Sequence, residues 1–462
     1  MSRIGLDQCR NQSSRRRGWK YLAVLWLLYV LIATVLFFRV TAVQQTNDSP
    51  SYLRAASAPL SSHTLWLGDK PPLVPLICKT LSNNLGAIVK FQFVFSVFAW
   101  SCLAYTLAAF VNRTLTRSAL FAGILILSLG SDVSMWTHTI MSESVDHSCL
   151  ALLLASWLLL MNRPSARRCI VVALLSGIWA LTRDSNATVL IMVSITTGAA
   201  LTLPRFRGRR KWYACAAIAS LAFGLAGMQC DNLSGRWQFP FFNVLSQRVL
   251  PYPDRVTFFK GHGMPTPPAL MDLKGGWAYT NGFAYWLDST LDGFRKWANP
   301  KARRTYMLFV LTHPGFAFKP LASDLPEALF PPLRHYFWPG PLPAPSQDRI
   351  NAWMRARIGY VLTIFWALAI GAVLAARTSG GFRSPLVLAY MIVWIGLLEY
   401  LVIWLADPMD LGRHYLSMTI ALRISALLLA ATIVDRLASP APAAFPTNEN
   451  VLLVVGPPTT LN

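Results

Sequence analysis

The fold is decided by the apolar run at 21–38, YLAVLWLLYVLIATVLFF, and by the polar stretch NDSPSY at 47–52 that follows it. A hydrocarbon core about 30 Å thick is crossed by a helix of roughly 20 apolar residues, so the run predicts a membrane span near 20–41. The run is long for a signal peptide, and an arginine triplet at 15–17 precedes it. We therefore expect an uncleaved anchor with a cytoplasmic N-terminus, whose polar continuation emerges on the opposite side.

The composition predicts a membrane protein with many spans. Of the 462 residues, 54% are hydrophobic and only 13% are charged, far from the balance of a soluble domain. The expected fold class is all-α and polytopic, with about ten transmembrane helices and an external helical or loop region. The expected spans lie near residues 20–41, 88–111, 118–136, 147–161, 169–183, 187–203, 212–230, 358–376, 386–405 and 414–435.

The net charge of +22 is explained by membrane orientation rather than by nucleic-acid binding, because no RNA-binding motif and no continuous basic face is present. With a cytoplasmic N-terminus, every short inside connection is basic. The short outside connections at 137–146, 183–184 and 407–413 hold at most one Lys or Arg each, as the positive-inside rule requires. The inside connections contribute Arg113, Arg117, Arg163, Arg167, Arg168, Arg205, Arg207, Arg209, Arg210, Lys211, Arg377 and Arg383.

This topology divides the chain into four parts. Residues 1–230 form an N-terminal transmembrane module that includes a polar connection at 42–87, called here the first loop. Residues 231–357, called here the long segment, are rich in Pro, Trp, Phe and Arg and are expected to fold outside the cytoplasmic membrane against its surface. Residues 358–437 add the C-terminal helices, and 438–462 form a cytoplasmic tail that we expect to be flexible.

The first loop carries residues suited to chemistry on a lipid-linked phosphate. Asp48, Asp69 and Lys70 lie where the chain leaves the membrane, and a diproline at 71–72 stiffens the loop. Glycosyl transfer needs a carboxylate that takes the acceptor's proton and cations that hold the departing phosphate. Asp48 fits the first role and Lys70 the second. The structural alternatives are a helix cap for Asp48 and an interfacial lysine for Lys70.

Two further charged residues are expected on the same side of the membrane. Glu143 lies at the outer mouth of the fourth span, and carboxylates at membrane depth are costly and tend to be functional. Arg183 ends the fifth span on the outer face, against the orientation rule, which a donor phosphate or an anionic headgroup would explain. The alternatives are a helix cap for Glu143 and an ion pair of Arg183 with Asp184 or Glu143.

The last span begins with another charged group, which predicts either phosphate binding or a buried ion-pair network. Its members are Asp407, Asp410, Arg413 and His414. About ten residues further into this span, Arg423 is expected to pair with a carboxylate such as Glu399 or to reach water.

The remaining polar side chains near these positions carry less information. His138 and His147 flank Glu143 without the spacing of metal ligands, so we expect them at a polar rim. Cys78 and Cys230 could face the same aqueous side, which leaves a disulfide between them open.

These residues resemble motifs of the GT-C superfamily of integral membrane glycosyltransferases, which take sugars from polyprenyl-phosphate donors. The KPPL element is similar to that of the protein mannosyltransferase and lipid A aminoarabinose transferase branch. The resemblance covers roughly the N-terminal 190 residues. It rests on DSxxY at 48–52, KPPL at 70–73, SES at 142–144 and Arg183.

The resemblance implies a multi-span helical enzyme in which Asp48 is the catalytic base, with Glu143 as a catalytic group in the same cavity. It implies that Lys70 and Arg183 neutralise the donor phosphate. The full set expected to bind donor phosphate or substrate is Tyr52, Asp69, Lys70, Arg183, Arg413 and His414.

The chain departs from the family pattern in two ways. Many members carry a paired acidic motif in the first loop, whereas Asp48 is followed by Ser49, so a divalent metal is not favoured as a cofactor. The mannosyltransferases carry a lumenal β-domain, whereas the long segment has a helical and aromatic character. The acceptor therefore does not follow from that branch.

The leading hypothesis is a membrane glycosyltransferase of the cytoplasmic membrane with an extracytoplasmic active site. Its expected partners are a polyprenyl-phosphate-linked sugar donor, a lipid, polysaccharide or protein acceptor, and the lipid bilayer. A transporter or flippase of lipid-linked or anionic substrates is the main alternative. It would call for ionisable residues in mid-span and repeated, broken helices, and no internal repeat is visible. A non-catalytic scaffold is a third hypothesis, but it does not explain why the charged residues gather on one side of the membrane.

Overall fold

The computed structural model describes residues 3–40, 42–202, 210–331, 353, 355–378 and 384–437, and the tail expected at 438–462 lies outside them. Within these ranges the chain is helical and contains no β-strand; its one β-type contact is an isolated bridge between Gln44 and Thr139. The all-α class expected from the sequence is therefore confirmed.

Among the described residues, six helices are long and apolar enough to cross a membrane. A seventh span results if Thr114–Leu129 and Ser131–His138, which meet at a bend of 55°, count as one. The six are Trp19–Arg39, Leu85–Ala108, Glu143–Asn162, Arg210–Ser234, Pro385–Ala406 and Leu416–Leu437.

The three other expected spans coincide with shorter helices. Ala166–Ala180 has 15 residues and Asp184–Ala200 has 17. The third helix is Ile358–Thr378, whose apolar part, Ile358–Leu374, also falls below the length of a full span. A total of ten spans therefore stays a prediction.

Further helices, most of them shorter than ten residues, occupy the connections between the membrane-length helices. Proline lies at the first or second position of three of them, where its fixed φ suits a helix start and its missing N–H costs nothing. The first loop holds Ser49–Ser57, His63–Leu67 and Leu73–Thr80. The long segment holds Gln238–Val244, the π-helical turn Leu245–Val249, Pro253–Gly261, Pro268–Met271, Ala284–Leu287, the 3-10 turn Ser289–Leu291, Asp292–Thr312 and Gly315–Leu329. Leu411–His414 forms a further short helix just before the last long one.

The long segment has an aromatic core of its own, separate from the core between the long helices. The rings of Phe242 and Tyr285 stack with centroids 4.3 Å apart, and Phe294 packs beside both. Aromatic side chains bury large apolar areas, so this cluster can hold the segment together without a β-sheet.

The helix Glu143–Asn162 is the centre of the bundle. In its apolar window 89% of the residues are buried, against 22% for Trp19–Arg39, whose apolar side chains face outward. An outward apolar face of this extent suits a lipid environment. Glu143 is the first residue of this central helix, and its side chain is buried among the packed helices.

An ion pair inside the bundle joins Asp132 to Arg423. Asp132 follows the bend at Gly130, where the backbone turns between two helical pieces. The expectation that Arg423 pairs with a carboxylate is therefore confirmed, but its partner is Asp132 and not Glu399. Glu399 is buried, and its Oε2 atom has no hydrogen-bond partner among the described residues.

Asp132→Leu is expected to lower the free energy of unfolding by about 3 kcal/mol, because removing one partner leaves the Arg423 charge unpaired between helices. The double variant Asp132→Leu/Arg423→Leu is expected to recover most of that loss. Chemical unfolding of the detergent-solubilised protein measures both. A double variant as unstable as the single one would show that packing, not the unpaired charge, sets the cost.

The fold answers one question that the sequence left open and corrects the position expected for two histidines. Cys78 and Cys230 are both free cysteines, so they form no disulfide. His138 and His147 are buried rather than at a rim. The ring of His138 stacks on Phe37 with centroids 4.5 Å apart.

Candidate functional site

The predicted site residues meet where four chain segments start helices. Asp48 and Arg183 directly precede Ser49–Ser57 and Asp184–Ala200, Glu143 opens the central helix, and Arg413 lies just before Leu416–Leu437. Helix N-termini carry partial positive charge and attract anions. We call Asp48, Lys70, Glu143, Arg183, Arg413 and His414 the polar cluster.

Backbone contacts bring the first loop to the central helix. The Gln44 N–H donates to the His138 carbonyl at 2.8 Å, and the Ile140 N–H donates to the Gln44 carbonyl at 3.1 Å. The Ser49 hydroxyl donates to the Ile140 carbonyl at 2.9 Å. These bonds fix residues 44–49 beside residues 138–140, and so place Asp48 next to the start of the central helix.

The Asp48 carboxylate is held by two cations. Lys70 Nζ lies 2.8 Å from Oδ1, and Arg413 Nη1 lies 3.0 Å from Oδ2. Asp48 occupies the cap position of its helix, but its side chain makes no capping hydrogen bond. Burial alone would raise the pKa of Asp48; the charges and hydrogen bonds of Lys70 and Arg413 outweigh it and hold the pKa well below its usual value. Asp48 is therefore ionised at neutral pH.

Glu143 is the most deeply buried member of the polar cluster, with only 1% of its surface exposed. Its Oε1 atom lies 3.6 Å from Arg183 Nη1 and 3.8 Å from Arg413 Nε. The Ser142 hydroxyl donates to its other oxygen at 3.3 Å. Arg413 therefore bridges Glu143 and Asp48, so the two carboxylates share one environment, as the sequence predicted.

The group at 407–414 completes the cluster. Arg413 Nη2 also lies 3.6 Å from Asp410 Oδ2. His414 lies between two partners, with Nδ1 at 3.5 Å from Arg183 Nη2 and Nε2 at 3.9 Å from Asp407 Oδ2. Burial lowers the pKa of His414 well below its usual value, and the charges of Arg413 and Arg183 lower it further. The imidazole is therefore neutral at pH 7.

Asp407 is almost fully buried and titrates near neutrality. Burial raises its pKa to about 7, although hydrogen bonds from the Met409 N–H and the Asn243 side chain oppose the shift. The Met409 bond measures 2.9 Å and the Asn243 bond 3.3 Å. Asp407 thus accepts hydrogen bonds from both sides of the junction between the long segment and the bundle.

Two predicted binding residues have different outcomes. Tyr52 is buried beside the cluster, with Lys70 Nζ 5.5 Å from its ring centre. Burial raises the pKa of its phenol, and the negative charges of Glu143 and Asp48 raise it further, so Tyr52 stays a neutral hydroxyl. Asp69 does not join the cluster: its side chain is 79% exposed and lies 4.0 Å from Arg54. The structure therefore does not bring Asp69 together with the other predicted site residues, and a binding role for it stays a prediction.

Of the two ion-pair partners considered for Arg183, the contacts select Glu143. Arg183 pairs with Glu143, whereas Asp184 is bound by Arg236 through bonds of 2.8 Å to each of its oxygens. Sequence reasoning missed Arg236, which lies at the start of the long segment outside any motif. Its position just after the apolar run at 212–230 could have indicated a charged residue at the membrane surface on the same side as Arg183.

A second missed residue, Asp146, lies one turn below Glu143 on the same face of the central helix. Its carboxylate is fully buried and accepts hydrogen bonds from Thr182 at 2.9 Å, from Asn186 at 2.6 Å and from Ser417. Three neutral donors thus satisfy it without an ion pair. The i, i+3 spacing from Glu143 could have revealed it.

The cluster can bind an anion and transfer a proton. Three cations surround two carboxylates, so a phosphate could exchange for one of the internal carboxylate contacts. Among the described residues, no group of three or more His, Cys, Asp or Glu side chains is arranged to hold a metal ion.

No family model matches the chain, and a search of curated proteins finds no relative. The fold and the site define a coarse class: within the described residues the protein is helical, six or seven of its apolar helices could span a membrane, and a partly buried charged cluster lies at the ends of several helices.

Proposed function

We propose that this protein is a membrane glycosyltransferase that moves a sugar from a polyprenyl-phosphate donor to a lipid, polysaccharide or protein acceptor on the outer face of the cytoplasmic membrane. The resemblance of the DSxxY, KPPL and SES elements to the GT-C superfamily supports this proposal. The single observation that carries it is the bridge of Arg413 between Asp48 and Glu143, beside Lys70 and Arg183.

The transfer is a single displacement at the anomeric carbon of the donor sugar. The acceptor oxygen or nitrogen forms the new bond to that carbon, and the bond from the carbon to the phosphate oxygen breaks. The acceptor's proton passes to Asp48, and polyprenyl phosphate leaves with the electron pair. Lys70, Arg183 and Arg413 neutralise the charge that develops on the leaving phosphate.

The ion pairs of Asp48 give this scheme a physical order of events. A general base works best with a pKa near the operating pH, and the pKa of Asp48 is held far below that. A phosphate bound by Lys70 and Arg413 would draw both cations away from Asp48. Donor binding would therefore raise the basicity of the carboxylate that must accept the proton.

Lys70→Ala is expected to raise the KM for the donor roughly tenfold to a hundredfold, because a hydrogen bond to a charged group contributes about 1.5–3 kcal/mol. The KM for the acceptor should change much less. Steady-state kinetics with each substrate varied in turn measures the difference. Lys90→Ala, at an exposed position on a neighbouring helix, is the matched control. A larger change for the acceptor would reverse the assignment of Lys70.

A second candidate function is transport or flipping of a lipid-linked or anionic substrate. It is favoured by ionisable side chains within the apolar helices, namely the Asp132–Arg423 pair, Glu399 and Asp146. Such residues are costly within a bilayer and often line substrate or proton pathways.

The two functions are separated by an assay in detergent micelles, which have no two compartments. Sugar transfer by the solubilised protein with a polyprenyl-phosphate donor would exclude a pure transporter. Absence of transfer under adequate donor supply, together with movement of a lipid-linked substrate across the bilayer of proteoliposomes, would favour the second candidate.

A further inference from the structure

The start of the long segment contacts the polar cluster from two sides. Arg236 reaches residues next to Lys70 and Arg183, and Asn243, two helical turns further on, reaches Asp407 behind His414. We infer that Arg236 and Asn243 are positioning residues that set the spacing of Lys70, Arg183 and His414 for a phosphate group. This inference rests on the proposed function, because it assigns the cluster to a phosphate-bearing ligand.

Arg236 ties two separate parts of the chain together. Its Nε and Nη2 atoms donate to the two oxygens of Asp184 at 2.8 Å each, and its Nη1 atom donates to the Gly68 carbonyl at 3.0 Å. Asp184 directly follows Arg183, and Gly68 lies two residues before Lys70. One rigid guanidinium thus holds the backbone beside both cations.

The position of Gly68 is constrained as well. A Cβ atom added there would lie 2.2 Å from the Thr64 carbonyl oxygen, so this close turn requires glycine. The turn presents the Gly68 carbonyl to Arg236, whose side chain is only 8% exposed. Both ends of the contact are therefore fixed by packing rather than by a mobile surface pair.

Asn243 makes the second connection. Its Oδ1 atom accepts a hydrogen bond from the Ala278 N–H at 2.9 Å, and its Nδ2 atom donates to Asp407 Oδ1 at 3.3 Å. His414 then lies between Asp407 and Arg183. A neutral imidazole can accept at Nδ1 from Arg183 at 3.5 Å, while its Nε2 faces Asp407 Oδ2 at 3.9 Å, beyond hydrogen-bond distance.

Neither positioning residue is itself a good ligand for the anion. Arg236 already uses three of its donors on Asp184 and Gly68, and Asn243 is fully buried between the backbone of the long segment and Asp407. Their effect must therefore pass through Lys70, Arg183 and His414. A phosphate group presents several oxygens at fixed separations, so small shifts of Lys70, Arg183 and His414 would weaken its binding.

The test measures binding of inorganic pyrophosphate to the full-length protein in detergent micelles at low salt, by calorimetry. Arg236→Met is expected to weaken binding at least tenfold. The pair Asp184→Asn/Arg236→Gln removes both charges together and should still weaken binding severalfold, because the contact to Gly68 is lost. Asn243→Ala should weaken binding about threefold to tenfold.

Arg295→Met is the matched control, because Arg295 also pairs with an acidic residue of the long segment but touches no member of the cluster. It should leave pyrophosphate binding unchanged. Asp407→Ala removes the acceptor of the Asn243 side chain and leaves the Asn243 bond to Ala278 in place, so it should weaken binding as Asn243→Ala does.

A purely structural role of Arg236 is distinguished from a positioning role by comparing the effect of Arg236→Met alone with its effect in an Arg183→Met background. Because Arg236 acts through Arg183 as well as through Lys70, Arg236→Met should weaken binding clearly less in an Arg183→Met background than the tenfold expected in the wild-type protein, with only the severalfold effect of the lost Gly68 contact remaining. An Arg236→Met protein that binds pyrophosphate as tightly as wild type, or whose loss adds in full to that of Arg183→Met, would overturn the inference. If the inference is overturned in this way but Lys70→Ala still weakens pyrophosphate binding, the proposed function is unaffected. No pyrophosphate binding by the wild-type protein would count against both.

Discussion

Asp48→Asn is expected to abolish sugar transfer, with a loss of at least roughly a thousandfold in kcat, while expression and membrane insertion stay unchanged. General base catalysis contributes about 10²–10⁴ in rate, and an amide cannot accept the proton. The substitution keeps the shape of the side chain and leaves the helix start intact, because the carboxylate makes no capping bond. Product formation by equal amounts of solubilised wild-type and variant protein measures the effect.

The same variant should bind inorganic pyrophosphate more tightly than wild type, by about tenfold, because Asp48 competes with the anion for Lys70 and Arg413. Asp69→Asn is the matched control: it is the same change in the same loop at an exposed side chain. It should alter neither transfer nor binding. An Asp48→Asn protein that transfers sugar at the wild-type rate would reduce Asp48 to a structural residue.

Arg413→Met is expected to stop transfer and to destabilise the fold, because Arg413 contacts both Asp48 and Glu143. Glu143 is buried and would keep Arg183 as its remaining cation. Breaking a buried pair costs about 3–5 kcal/mol, and we expect about 3 kcal/mol here because Arg183 compensates in part. Chemical unfolding and pyrophosphate titration of the solubilised variant measure the two effects separately.

Arg413→Lys separates charge from geometry. A lysine restores one positive charge but offers a single ammonium group, whereas Arg413 addresses Asp48 through Nη1 and Glu143 through Nε. Stability should return in part while transfer stays low. Arg54→Met, at an exposed position of the first loop, serves as the control. Normal transfer by Arg413→Met would remove the bridge from the proposed mechanism.

Several residues of the cluster could be predicted because they lie beside helix starts on one side of the predicted membrane. Asp48 and Lys70 are 22 positions apart in one loop, and their pairing agrees with the roles predicted for that loop. The pairing of Asp48 with Arg413 spans 365 positions, and no local pattern announces it. Arg236 was overlooked for the same reason.

Neighbouring residues also behave differently in ways that the sequence does not distinguish. Asp69 and Lys70 are adjacent, yet one points to solvent and the other to Asp48. Arg423 and Glu399 have suitable types and depths to pair, yet Arg423 lies against Asp132 and Glu399 lies elsewhere in the bundle. Which faces of two helices meet is set by packing, which depends on every helix at once.

The sequence by itself determined the helical class, because apolar runs in a low-dielectric environment must satisfy their own backbone hydrogen bonds, and those bonds are local. It also placed polar side chains at the ends of those runs. Only the tertiary structure decided which charges meet, that Arg413 joins Asp48 to Glu143, and that Arg236 braces Lys70 and Arg183. Those contacts arise from helices packed in three dimensions, where the distance between two charges bears no relation to their separation along the chain.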